Sequence, residues 1–476
     1  MNLRLPLYSV FNKKPSEVLF ISVVVVIFAV AVLLSIEANV DYRYGFVFFG
    51  ILVLALFLVK PHVLFYVTIL LISFRSVVIW LWGDFQLYIS FVEPAIIASF
   101  MIWLLYRLGK KGRVSTYVKT GVEIPIILLF IYGLISILWS GEQWYGYYIM
   151  FLHLCGILLF FLTVAYVDSI DRFKFAIMLF VLMGIINGIL CFYVILSSGQ
   201  SYNDVIFHTK NHYVTFWFNP EQMLRGQGFM HPLKTAYYLS LSIVFMFGYT
   251  YMSRGYRALG FGIMSFMLLS ALMTTLSKGP LLSLFVGALL LSVEIPALKK
   301  NFIPSWVIFI VLVVVAFIVP RIIFGDINKA VDYTSQTATS SSSETSSLGS
   351  RIIRWSKAID AVYNTYGIGV GAGGFRAFVE PAQLLDSSYF QVFFDYGFIG
   401  LWLWLWFLLV SGYKFFIAYK NYPKGKGKDW LLIYLASYIT LIFNGLTSET
   451  HFFLPIWFII GAGYALVNVL QKERLI

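Results

Sequence analysis

Apolar stretches of about 20 residues, the length an α-helix needs to cross the hydrocarbon of a bilayer, recur along most of this 476-residue chain. Inside a membrane every backbone N–H and C=O must bond within the protein, so only helices and closed barrels can span it. Runs this long belong to helices. Of the side chains, 60% are hydrophobic and 12% are charged, about half the charged share of an ordinary soluble domain. A water-soluble globule is thereby excluded. The expected fold is an all-α integral membrane protein, a polytopic helical bundle of about 12–14 transmembrane helices.

Candidate spans fall at 18–36, 45–59, 62–82, 90–108, 124–140, 147–166, 175–197, 232–251, 257–276, 279–295, 303–320, 387–412, 430–446 and 452–470. Val18 to Ser35 reads as the first anchor, because no small-residue cleavage site follows it. Lys and Arg accumulate on the cytoplasmic side of membrane proteins. With the N-terminus inside, the inner segments hold about two thirds of the 34 Lys and Arg residues, notably in 107–119 and 414–428. Both termini are then cytoplasmic, and the longest connection, 321–386, faces outward. The net charge of +12 follows from this topology and from anionic inner-leaflet lipids, so lipids are expected partners and nucleic acid is not.

Four regions result: an N-terminal transmembrane bundle (1–220); helices carrying the outer-face cations Arg225 and Lys278 (221–320); a large outer loop (321–386); and C-terminal transmembrane helices (387–476). The run from Ser335 to Ser347 is too polar to pack and reads as a mobile stretch of that loop. Downstream, Ser350 reads as an N-cap, and Ile352, Trp355, Ile359 and Val362 follow at helical spacing. Residues 351–363 should therefore form a short amphipathic helix.

Chemistry is sought among ionisable groups that topology does not explain. Arg225, Lys278, Arg351 and Arg354 come from three separated segments yet share the outer face. Arg351 and Arg354 stand one turn apart, the spacing a phosphate clamp needs. The competing reading is contact with lipid headgroups or local carboxylates. Asp386 precedes a span and is either a base or the cap of the following helix. His231, Glu449 and His451 are secondary candidates on the same face. His208 and His212 have the spacing of a metal pair, but no third ligand accompanies them, so no metal is assigned. Arg75, inside a span, is expected to pair with Glu93 across a helical hairpin. Cys155 and Cys191 read as buried small side chains. Gly369 to Gly374 satisfies G-x-G-x-x-G but follows a helix on the outer face, so it reads as a turn that lets the loop backbone approach the membrane domain or a ligand.

Four segments carry a resemblance: Ser350-Arg351 with Trp355; Gly367-Ile368-Gly369-Val370-Gly371-Ala372-Gly373-Gly374-Phe375; Leu385-Asp386-Ser387-Ser388-Tyr389-Phe390-Gln391; and Asp395-Tyr396-Gly397-Phe398-Ile399-Gly400-Leu401. Together they are similar to the signature region of the O-antigen ligase and polymerase superfamily. Upstream, Arg225-Gly226-Gln227-Gly228-Phe229 resembles that family's R-x-x-G-x-F segment, and Thr275-Leu276-Ser277-Lys278-Gly279 its S-[RK]-G turn. The similarity covers about residues 220–470; the N-terminal half matches only as a set of spans.

The resemblance implies a membrane glycosyltransferase of the bacterial inner membrane, working on its outer face. The donor would be an undecaprenyl-diphosphate-linked glycan and the acceptor a glycan hydroxyl. Because diphosphate is itself a competent leaving group, neither cofactor nor metal is strictly required. Cations must neutralise the departing charge, and a base must activate the acceptor. Arg225, Lys278, Arg351 and Arg354 fit the first task, Asp386 the second. Ligases of the family carry His where Asp386 stands, which favours polymerisation of repeat units for a surface polysaccharide: O-antigen, capsule or exopolysaccharide. A chain-length regulator and a flippase are candidate partners. Two further readings stay open: a ligase delivering finished glycan to lipid A core or another acceptor, and a polysaccharide transporter or flippase. A transporter should keep ionisable groups at mid-membrane, where only Arg75 and His153 lie deep in spans.

Overall fold

Apolar composition turns into helix at every candidate span from residue 90 onward. The computed structural model describes residues 61–73, 79–82, 85–89, 92–109, 120–196, 228, 232–323, 347–374, 385–448 and 453–475. The candidate spans 18–36 and 45–59 and the Ser-rich run as far as Ser346 lie outside the described residues. Helix α1 (Pro61–Leu71) is followed by α2 (Val92–Gly109), α3 (Glu123–Ser136, prolonged by a 3-10 turn Ile137–Trp139), α4 (Gln143–Tyr166) and α5 (Ile170–Leu196). Then come α6 (Pro232–Met252), α7 (Tyr256–Thr274), α8 (Lys278–Glu294), the short α9 (Pro296–Lys300) and α10 (Phe302–Ile323). The outer-loop helix α11 (Ser347–Asn364) precedes α12 (Ser388–Asn421), α13 (Lys426–Asn444) and α14 (Leu454–Leu475).

One expectation needs correction. The span 62–82 is not a continuous helix: α1 stops at Leu71, and strands β1 (Ile79–Trp82) and β2 (Phe85–Ile89) pair antiparallel, with Ile79 opposite Ile89 and Trp80 opposite Tyr88. Aromatic and β-branched residues flank Gly83-Asp84 in sequence, the composition of a tight hairpin. Arg75 lies outside the described residues, while Glu93 on α2 is buried.

Among the described residues six helices, α4, α5, α7, α10, α12 and α14, are long and apolar enough to cross a membrane, and the chain is a multi-pass membrane protein. Their surroundings differ sharply. In α14 94% of the apolar window is buried, against 6% in α10; α14 packs on α4, α5, α12 and α13 and forms the axis of the bundle, whereas α10 lies on the periphery against α7 and α8. The more polar α6 and α13 also sit inside, where Asn444 Nδ2 donates to Ser240 Oγ at 3.0 Å and Thr440 Oγ1 to the Ala436 carbonyl at 2.9 Å. Polar groups so placed avoid the cost of an unsatisfied group in hydrocarbon. Cys155 and Cys191 are buried free thiols.

The bundle has two chemically distinct ends. At one, Lys414 Nζ donates to the Thr120 carbonyl at 3.1 Å, Tyr419 Oη donates to Glu294 Oε2 at 2.6 Å and Lys428 lies 4.9 Å over the Tyr419 ring. At the other, the starts of α6, α8 and α12 gather around the end of α13 and the turn that follows it.

Candidate active site

The turn Gly445–Ser448 after α13 holds the site together. Ser388 N, in the first turn of α12, donates to the Gly445 carbonyl at 2.8 Å, and Ser388 Oγ to the Ser448 carbonyl at 2.8 Å. The start of α8 rests on the same turn. A Cβ on Gly279 would stand 2.1 Å from Thr447 Oγ1, so only glycine permits this approach. Lys278 at the head of α8 and Asp386 ahead of α12 are thereby carried to one turn. Leu276, two residues before Lys278, and Asp386 itself have positive φ, 52° and 50°. Such backbone persists only where its surroundings over-determine it.

Helix α11 delivers the arginines. Its start at Ser347 places Ser350 inside the first turn, so the expected cap at Ser350 is not the helix terminus. Ala358 and Val362 are buried against Val370, Leu385 and Phe394, with Trp355 packed alongside. The expected stripe is rotated by about one residue, and Ile352 and Ile359 are about half exposed. On the packed side Arg354 Nη2 approaches Asp386 Oδ2 at 2.9 Å and Arg351 Nε approaches the same oxygen at 3.3 Å. The Arg354 side chain is 14% exposed and that of Asp386 26%. Spacing i, i+3 on a helix thus becomes a two-pronged grip on one carboxylate oxygen.

Asp386 is not the helix cap. Ser387, with extended backbone (φ −156°), holds that position, its Oγ accepting from Phe390 N at 3.5 Å. Capping is thereby separated from Asp386, whose carboxylate is committed to arginine.

The glycine-rich turn binds the loop to the membrane helices. Gly367, Gly369, Gly371 and Gly373 all have positive φ. In α12 the backbone breaks at Gly397 (φ 61°, ψ −156°), releasing two carbonyls from the helical ladder. Phe394 O accepts from Val370 N and Asp395 O from Gly371 N, each at 2.9 Å. From the other side Ser136 Oγ accepts from Ala372 N at 3.0 Å, Ser140 Oγ donates to the Ala372 carbonyl at 2.8 Å and Trp139 Nε1 to that of Gly369 at 3.2 Å. The turn approaches the membrane domain as expected, with its backbone taken up by protein partners.

Residues 263–405 match the O-antigen ligase family. They run from α7 into α12 and contain Lys278, Arg351, Arg354 and Asp386. Over this stretch the chain is similar to that family, which belongs to the O-antigen ligase and polymerase superfamily expected from the sequence. It is also similar to the teichuronic acid biosynthesis protein TuaE of Bacillus subtilis, 24% identical over 378 residues that cover 74% of each chain. Together the two similarities support a membrane enzyme of polysaccharide biosynthesis of the ligase and polymerase class.

Among the residues singled out in the sequence, the structure brings together Arg351, Arg354 and Asp386, and Lys278 heads α8, whose Gly279 rests on the Gly445–Ser448 turn. Arg225, His231, Glu449 and His451 lie outside the described residues, as do His208 and His212. Gly228 of the R-x-x-G-x-F segment is described: its N–H donates to Thr235 Oγ1 at 3.1 Å, and the segment meets α6 there. Sequence reasoning assigned no role to Gln391 or Asp395. Both are buried polar residues one helical turn apart in an otherwise apolar helix, a signal that was available.

Proposed function

We propose that the protein polymerises undecaprenyl-diphosphate-linked oligosaccharide repeat units into a surface polysaccharide on the outer face of the cytoplasmic membrane. The observation that carries this reading is the grip of Arg351 and Arg354 on Asp386 Oδ2. Two guanidiniums one turn apart form a site for an anion with several oxygens, and the Asp386 carboxylate is the anion they hold in the structure.

When the donor diphosphate takes the arginines, Asp386 is released beside the site, free to accept a proton. The acceptor hydroxyl then attacks the anomeric carbon of the donor. Its proton passes to Asp386, the bond from that carbon to the diphosphate oxygen breaks, and undecaprenyl diphosphate leaves with the electron pair. Arg351, Arg354 and Lys278 stabilise the negative charge that grows on the leaving group, with Arg225 assigned the same task from the sequence. Asp386, where ligases of the superfamily carry His, favours a polymerase. The relative TuaE, named for teichuronic acid biosynthesis, supports a role in making a polysaccharide.

Ligase and polymerase share donor and bond chemistry and differ in acceptor. The surface glycan of a deletion strain tells them apart. A single repeat unit still attached to its anchor is the result expected. Complete loss of attached glycan would assign the chain to the ligases instead.

A further inference from the structure

Gln391 and Asp395 lie one turn apart on α12, and both are buried. Gln391 Nε2 donates to Asp395 Oδ2 at 3.0 Å, and Gln391 Oε1 accepts, over a longer 3.4 Å, from Leu385 N. The carbonyl of that residue accepts from Trp355 Nε1 at 2.7 Å, and the Trp355 ring stacks on Phe390 with centroids 4.6 Å apart. The Leu385 side chain is itself fully buried. Both polar groups of Leu385 are therefore pinned immediately before Asp386, the residue with left-handed backbone.

A carboxylate only accepts hydrogen bonds, and a backbone N–H only donates. An amide set between them has one satisfying orientation, and Asp395 dictates it. Asp395 lies two residues before the break at Gly397, in the last turn of the first half of α12. Its Oδ1 has no hydrogen-bond partner among the described residues. Burying such a group is costly, and the packing of apolar side chains around it does not require it.

We infer that Gln391, oriented by Asp395, is a positioning residue for the reaction: it holds the Leu385 N–H, while Trp355 holds the Leu385 carbonyl, and so fixes the residue before Asp386 and aims the Asp386 carboxylate. The inference rests on the role proposed above for Asp386. It predicts that the polarity of the pair matters, while the identity of each residue does not. In Q391E two carboxylates face each other and the donor to Asp395 is gone. In Q391E/D395N the amide and the carboxylate have exchanged places: the amide now at position 395 donates to the carboxylate now at position 391, which still accepts from Leu385 N.

The test uses full-length enzyme purified in detergent, with lipid-linked repeat unit extracted from a deletion strain of the same host. Q391E should lower kcat by about tenfold to a hundredfold, the effect of a small misplacement of a reacting group, with KM for the lipid-linked unit little changed because the arginines still hold the donor. Q391E/D395N should recover most of that loss. In a D386N background Q391E should cause no further fall, since its target has already been disabled.

An equal loss from Q391E in the D386N background would overturn the inference, because Gln391 would then act independently of Asp386. A reversed pair as inactive as Q391E, at normal abundance, would overturn it also. D386N alone with normal turnover would strike at the reading of Asp386 itself, an outcome separable from either.

Discussion

Replacing Arg354 with Ala separates what this side chain contributes to folding from what it contributes to turnover. In the structure its Nη2 makes a short charge-assisted bond to Asp386, and Arg351 remains on the same oxygen. Such bonds contribute about 1.5–3 kcal/mol, and partial solvent access with a remaining partner brings the stability loss down to about 1 kcal/mol. Removing a donor aimed at charge that develops in the transition state costs more, about 2.7–4 kcal/mol, or roughly a hundredfold to a thousandfold in kcat. Two measurements on the same preparation decide the matter: the thermal unfolding midpoint in detergent and the initial rate of glycan elongation at saturating lipid-linked repeat unit. The expected result is a small shift in the first and a fall of about two to three decades in the second. Arg354→Lys should lie between, because the ammonium keeps the charge without the planar fork. A rate loss below about tenfold, equivalent to 1.4 kcal/mol, would show that the guanidinium merely holds Asp386 in place, and the diphosphate site would have to be sought elsewhere.

Asp386→Asn should accumulate normally, since the helix cap belongs to Ser387, while losing about 10²–10⁴ in turnover; wild-type elongation by this variant in a deletion strain would remove Asp386 from the chemistry. Gly279→Ala forces a Cβ to within 2.1 Å of Thr447 Oγ1 and should destabilise the protein by about 1–3 kcal/mol, with Thr447→Gly recovering part of the loss; an additive double variant would refute the contact. Reporter fusions near Ser342 and Lys426 should signal the outer compartment and the cytoplasm respectively, and a cytoplasmic signal at Ser342 would invert the proposed topology.

The membrane helices were legible because hydropathy alone selects them: α4, α6, α7 and α10 lie within a few residues of the stretches read from composition. The exception, the hairpin after α1, was hidden by its own apolarity. Ile79-Trp80-Leu81-Trp82 and Phe85-Gln86-Leu87-Tyr88-Ile89 look like span to a hydropathy count, although their aromatic content around Gly83-Asp84 reads as strand and turn. Within the site, helical spacing placed Arg351 and Arg354 on one face, but nothing local indicated that Asp386, far along the chain, would be their partner. That pairing depends on the Gly445–Ser448 turn, which anchors the start of α12. Ser387 instead of Asp386 as the cap is a one-residue distinction that side-chain chemistry leaves open, both being good caps. Exposure of Ile352 and Ile359 reflects tertiary choice: Ala358, small enough to let α11 approach α12, won the buried side.

The backbone bonds between the glycine-rich turn and the 3-10 corner after α3 carry an implication for exchanging parts between relatives. Tyr132, Trp139 and Ser140 donate to carbonyls at 368, 369 and 372, and Ser136 accepts from the amide at 372, so the N-terminal half reads the backbone shape of that turn. A chimera that transplants the loop from α11 through Gly374 should therefore function in a foreign scaffold only if the hydroxyls and the indole of that corner travel with it. The modular unit is a discontinuous one, drawn from two places far apart in the chain.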